Sequence, residues 1–142
     1  MNSKFLVALQ FVSIGIIMIP KQATMLTPSW WVLPLLSVLG ALWIFKHNKL
    51  GNFNVVPEIR DQAELIVTGP YQYVRHPMYS TLILFMLGIV LWHFCWINLL
   101  ALFIMIAAVA LKALREEGLW HDHHDDYAAY KKRTKMILPF IF

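Results

Sequence analysis

Four long apolar stretches, residues 5–19, 30–45, 79–96 and 97–114, alternate with polar segments along the chain. Each is almost continuously hydrophobic and near or just below the roughly 20 residues with which a helix spans a bilayer core. The pattern predicts an all-α integral membrane protein with about four transmembrane helices, the short ones extended by their polar flanks. Residues 21–29, bounded by Pro20 and Pro28, join the first two stretches, and Trp30 and Trp31 mark an aromatic anchor at headgroup depth. This pair reads as a hairpin scaffold over residues 1–46, with Gln10 and Ser13 as candidate interhelical links. The third and fourth stretches meet near residues 95–98, a connection so tight that the two helices are expected to be antiparallel neighbours.

The polar segments are unequal. Residues 46–78 form a long loop with Gly51, Pro57, Gly69 and Pro70 as turn formers and a short strand-like or interfacial piece, AELIV, at residues 63–67. Beyond the fourth stretch come Lys112, Arg115, Glu116 and Glu117, then a His- and Asp-rich tract over residues 121–126. A cytoplasmic amphipathic helix is expected around residues 125–135, and the oily ending MILPFIF is expected to settle into the membrane interface. The whole reads as one domain, residues 1–142, with residues 47–142 carrying the chemistry.

Composition supports the membrane assignment, since 59% of residues are hydrophobic and 14% charged, against roughly 45–50% apolar residues in soluble domains. The first apolar run ends in Pro-Lys-Gln with no small-residue cleavage pattern, which favours a retained helix over a signal peptide. A lone cysteine, Cys95, excludes an internal disulfide and a cysteine-based zinc site. The net charge of +4 comes from residues that flank apolar segments, so membrane lipids rather than nucleic acid are the expected anionic partners. With four spans, eleven of the twelve Lys and Arg residues share a side and only Lys21 lies opposite. The positive-inside rule then places both termini and the long loop in the cytoplasm, and an inner (plasma) membrane of bacterial type is the expected location.

Candidate chemistry concentrates in TGPYQYVRHPMYS, residues 68–80. Pro77 suits the first position of a helix, where its missing N–H goes unneeded. Arg75 and His76 would then stand at a helix N-terminus, whose free amides and partial positive charge favour a small anion such as a carboxylate. LREEGLW, residues 114–120, faces the same compartment and adds Glu116 and Glu117 as partners for an ammonium. A ligand with a carboxylate, an ammonium and an aromatic ring matches this set, and S-adenosylmethionine is one. Blander readings exist for each feature: lipid anchoring for Arg75 and His76, an aromatic belt for Tyr71, Tyr73 and Tyr79, and a solvated helix face for the glutamates. His121, Asp122, His123, His124, Asp125 and Asp126 make the alternative of a non-catalytic scaffold or metal-binding accessory protein, although such tracts specify geometry loosely.

ELIVTGPYQYVRHPMYS, followed by REE and then DDYAAYKKR, closely resembles the integral-membrane methyltransferases that include isoprenylcysteine carboxyl methyltransferases and phospholipid N-methyltransferases. The resemblance covers residues 63–139 and rests on GxYxxxRHPxY with a downstream Glu-Glu pair. It implies a helical, non-Rossmann enzyme that uses S-adenosyl-L-methionine to methylate a carboxylate or amine of a lipid-like or prenylated acceptor. Carried over by position, its cofactor contacts fall on Ala63, Glu64, Leu65, Ile66, Tyr71, His76, Pro77, Met78, Tyr79 and Glu116, with Arg75 in the same motif and Glu117 the alternative to Glu116. Arg75, His76 and Tyr79 would serve as positioning groups, and the family's substrate arginine falls on Lys112.

Overall fold

The computed structural model describes residues 2–19, 24–48, 65–123 and 126–139, the side chains at positions 122 and 123 excepted. Among these residues five α-helices follow one another: α1 (Ser3–Met18), α2 (Val32–His47), α3 (Pro77–Trp92), α4 (Trp96–His123) and α5 (Tyr127–Arg133), with a 3-10 turn, Gly69–Gln72, ahead of α3. Among the described residues the only β-type pairings are two isolated bridges, so the all-helical expectation holds. Asn2 caps α1 by accepting from the Lys4 amide at 3.0 Å. Pro77 opens α3 at the expected position.

The count of spans is less direct. Helices α1, α2 and α3 have 16 residues each, about 24 Å at 1.5 Å per residue, whereas a hydrocarbon core is about 30 Å thick. Only α4, over Trp96–His121, is long and apolar enough among the described helices to cross a membrane on its own. Large apolar side chains nevertheless stand exposed on α1, α2 and α4: Phe5, Phe11, Leu39, Leu42, Phe45, Leu100, Phe103 and Leu114. A soluble monomer rarely presents so continuous a patch to water.

The helices pair across the chain. Helix α1 packs on α4 and α2 on α3, so each member of the expected N-terminal hairpin takes its main partner from the second half. Ile17 on α1, Met86 and Val90 on α3, and Leu102 and Met105 on α4 form the shared core. Gly88 lets α3 approach α2 closely, because a Cβ there would strike the Pro34 ring and lie 3.1 Å from the Trp30 carbonyl. Ser37 adds a link, donating to the Thr81 carbonyl at 2.7 Å. Of the two polar residues expected to join helices, Gln10 does so, whereas Ser13 donates to Leu9 within its own helix at 2.8 Å.

Two ends of the bundle result. At one, the connection after α1 meets the connection between α3 and α4: Thr24 and Phe94 exchange backbone hydrogen bonds at 3.2 and 3.1 Å, and Leu26 donates to Leu91 at 3.0 Å. Trp30 stacks on Trp92 there, ring centroids 4.3 Å apart. The other end gathers the start of α1, the segment before α3, the last turns of α4 and the tail. The tail departs from expectation. Helix α5 is shorter than the 125–135 reading, and residues 134–137 run back as an extended strap beside residues 73–76, with a parallel bridge between Val74 and Lys135. Met136 and Ile137 are buried against Ala113, Ala110, Ile83 and Tyr79, while Leu138 stays exposed, and residues 140–142 of the oily ending lie outside the described residues.

Candidate functional site

The site is built where α3 begins. Arg75 and His76 precede the helix and have no carbonyl within it to bond, so their amides are satisfied by the strap: Arg75 donates to the Lys135 carbonyl at 2.8 Å and His76 to that of Met136 at 3.0 Å, while Val74 bonds back to Pro70 at 3.2 Å. Lys135 returns a bond to Tyr73 at 3.1 Å, and the Ser80 hydroxyl donates to the Ile137 carbonyl. Tyr130, facing inward from α5, donates to the Tyr71 carbonyl at 2.7 Å. The RHP segment is thereby fixed between α3 and the tail.

Onto this frame α4 brings its two glutamates. Glu117 is 3% exposed and accepts from Arg75 Nε at 2.6 Å and from Lys131 Nζ at 2.7 Å. Both of its oxygens are engaged by cations, the condition under which a carboxylate tolerates burial. Glu116, at 21% exposed, accepts from the Tyr79 hydroxyl at 2.6 Å and faces His76 Nδ1 at 3.3 Å. His76 stacks on the Tyr79 ring at 5.6 Å and points Nε2 towards Glu117 at 3.6 Å, too long for a hydrogen bond. That Nε2 is the one buried side-chain nitrogen or oxygen among the described residues with no hydrogen-bond partner.

Charge sets the protonation of the ring. Burial pushes the His76 imidazole down, but the carboxylates of Glu116 and Glu117 outweigh it and leave the pKa raised above its ordinary value. Burial likewise pushes the Tyr71 phenol up to about 12, opposed by the amide of Asn48, which donates to its oxygen at 2.8 Å, and reinforced by the charge of Glu116. Tyr71 is therefore a neutral donor and acceptor at any physiological pH.

Of the residues singled out from sequence, Arg75, His76, Pro77, Tyr79, Glu116 and Glu117 come together directly. Arg75 is turned towards Glu117 and the tail, its Nη1 donating to the carbonyls of Thr134 at 2.5 Å and Lys131 at 3.2 Å. Lys112 lies one helical turn before Glu116, 2% exposed, and donates to Gln10 on α1 at 2.7 Å instead of closing an ion pair with Glu116. Its ammonium sits 5.3 Å from the centre of the Tyr79 ring. Met78 is exposed, and Leu65 and Ile66 are half-buried in irregular chain. Ala63 and Glu64 lie outside the described residues, as do His124, Asp125 and the side chains of Asp122 and His123. Among the described residues no group of three His, Cys, Asp or Glu side chains is placed to hold a metal ion.

Lys131, Thr134 and Gln10 belong to the cluster or border it and were not assigned a site role from sequence. Lys131 had a signal: Tyr127, Tyr130 and Lys131 fall at positions i, i+3 and i+4, one face of a helix, and the two tyrosines are buried.

A family model described as phospholipid methyltransferase matches residues 23–124, well over half of the chain. The match takes in the segment before α3 and both glutamates, and leaves α1 and the strap outside. No curated protein matches the sequence.

Proposed function

The chain belongs to the phospholipid methyltransferase family, whose reaction is methyl transfer to lipid-like acceptors, and from that premise we propose that it is an S-adenosylmethionine-dependent enzyme working at the cytoplasmic face of the membrane. The observation that carries the reading is the meeting of Glu116 with Tyr79 and His76. A carboxylate and an imidazole edge lacking a hydrogen-bond partner fit a polar, cationic ligand, because a buried nitrogen without a partner costs free energy until something bonds it.

When bound, S-adenosylmethionine supplies a methyl carbon already activated by its sulfonium. The protein is then asked chiefly to align and to exclude water. In this reading Glu116, the more accessible of the two glutamates, holds the donor's ammonium, and Tyr79 fixes the rotamer of that carboxylate. His76 offers Nε2 to a polar group of the donor. Leu65, Ile66, Tyr71 and Met78 frame the rest of the pocket. Arg75 and Glu117 act one step removed, as an ion pair that holds the strap against the RHP segment and so fixes His76. Met136 and Ile137 close the inner side to water. The acceptor enters sideways from the bilayer, past the apolar faces of the helices, with Lys112 as the cation nearest its headgroup. A carboxylate acceptor needs no base; an amine must lose a proton, and His76 and Glu116 are the groups beside it.

Four membrane-crossing helices with both termini inside follow from the same reading. The two connections that meet at Thr24 and Phe94 carry almost no charge, and the opposite end carries nearly all of it, as the positive-inside rule requires. The test uses the full chain purified in detergent and returned to lipid vesicles, supplied with methyl-labelled S-adenosylmethionine. Label is expected in the lipid fraction, with at least a tenfold loss in both His76→Ala and Glu116→Gln. Transfer that survives unchanged in both variants sinks the proposal.

A further inference from the structure

The geometry points to the strap and the end of α5 as a docking face for anionic lipid headgroups, with Lys132, Arg133 and Lys135 as its contacts. All three side chains are exposed, whereas Lys131 beside them is engaged by Glu117. A cation run on a short helix is ordinarily a solvated face that also favours the helix C-terminus; depth is what separates this one. Met136 and Ile137 pack against Ala110 and Ala113, which lie within the membrane-crossing stretch of α4. A chain advances at most about 3.6 Å per residue, so Arg133 lies within about 11 Å of Met136 along the strap. The headgroup layer outside the hydrocarbon is about 5–8 Å thick in each leaflet, and long basic side chains extend further to reach phosphates.

The neighbouring residues agree with this depth. Leu138 is apolar and 46% exposed, so an oily residue aimed outward adjoins the cations as it does at a lipid boundary. Lys132 and Lys135 have no side-chain partner among the described residues. Asp126, at the opposite end of α5, is the acidic side chain described on this helix and its cap. Residues 126–139 also lie beyond the matched part of the chain, so the face is not part of what the family model describes. The occupants are anionic phospholipids of the leaflet that surrounds the protein, whose headgroup charge Lys132, Arg133 and Lys135 meet together.

Native mass spectrometry of the full chain, released from micelles that contain equal phosphatidylglycerol and phosphatidylcholine, tests this. The wild type is expected to retain phosphatidylglycerol at least about fivefold over phosphatidylcholine, on the scale of one such factor for each basic residue near an anionic surface. K132Q/R133Q/K135Q is expected to lose that preference. K132Q/K135Q, which spares the contact of Arg133 with the Tyr130 ring, is expected to lose most of it, while K4Q/K46Q at the same end of the bundle keeps it. Equal retention of the two lipids by the wild type, or an equal loss in K4Q/K46Q, overturns the assignment. The inference rests on the bilayer placement and not on methyl transfer, and because lipid retention is read without the methyl donor, its failure and that of the enzymatic reading are separable.

Discussion

The two ends of the bundle are held by different forces. Where Thr24 meets Phe94, backbone bonds and the stacked indoles of Trp30 and Trp92 close the structure. Where α3 begins, an ion-pair cluster does: Arg75 and Lys131 on Glu117, Tyr79 and His76 on Glu116. Neutral contacts make a joint indifferent to protons and salt. Charges set at the edge of a low-dielectric bundle make one that is sensitive to both, and able to bind a charged ligand because its groups are already desolvated and aimed.

The sharpest way to break this contrast is Glu117→Gln. The substitution leaves the buried guanidinium of Arg75 facing a neutral amide, and removal of one partner of such a buried pair costs about 3–5 kcal/mol. Thermal unfolding of the purified protein should show a larger fall in Tm than either Glu116→Gln or Gly88→Ala produces. A Tm within about 2 °C of wild type, little more than noise for a domain of this size, would mean that water reaches the cluster freely. Glu116→Gln separates stability from binding. The amide still accepts from Tyr79, so Tm should fall by less than in Glu117→Gln, while affinity for S-adenosylmethionine by calorimetry drops about 10- to 100-fold, the worth of one charge-assisted hydrogen bond.

At the opposite end, Gly88→Ala sharpens the contrast. The new methyl would drive into Pro34 and towards the Trp30 carbonyl, prising α3 from α2 at a cost of about 1–3 kcal/mol. Tm should fall without any change in affinity for the methyl donor. A matching loss of affinity would show that the helix pair α2–α3 and the charge cluster move as one.

How much of the molecule was legible in its sequence divides along the same line. Local features were: Pro77 opens a helix because its ring suits the first turn, and Arg75, His76 and the glutamates announced themselves as charge beside apolar stretches. So was the all-helical architecture, since residues so continuously apolar have no other economical way to bond their backbone in lipid. Partnerships between distant segments were not. That α1 would lie on α4, and that residues 134–137 would pair with 73–76, depends on contacts for which a hydrophobic run carries no address. Lys131, Lys132, Arg133 and Lys135 are told apart only by helical register: Lys131 shares a face with Tyr127 and Tyr130, whose burial aims it at Glu117, while Lys132 falls outside. The strap also gives part of the oily ending a partner that its sequence does not specify: Met136 and Ile137 are as suited to an interface as to a core, and the backbone bonds from Arg75 and His76 to the strap hold them against Ala113 and Tyr79.

The smallest expected effect reads the contrast through pH. His76 carries a raised pKa because Glu116 and Glu117 outweigh its burial, so the folded protein holds the proton more tightly than the unfolded chain does. The stabilisation is then complete below the unfolded imidazole value of about 6.5 and is lost as pH rises through the folded value, at about 1.4 kcal/mol for each unit between the two. Tm measured as pH is raised from about 6, just below the ordinary imidazole value, should decline in the wild type. His76→Asn should flatten that decline, and Gly88→Ala should lower the whole curve while leaving its slope intact. A slope that persists in His76→Asn assigns the proton to another group, and a slope altered by Gly88→Ala means that the two ends share one titrating network.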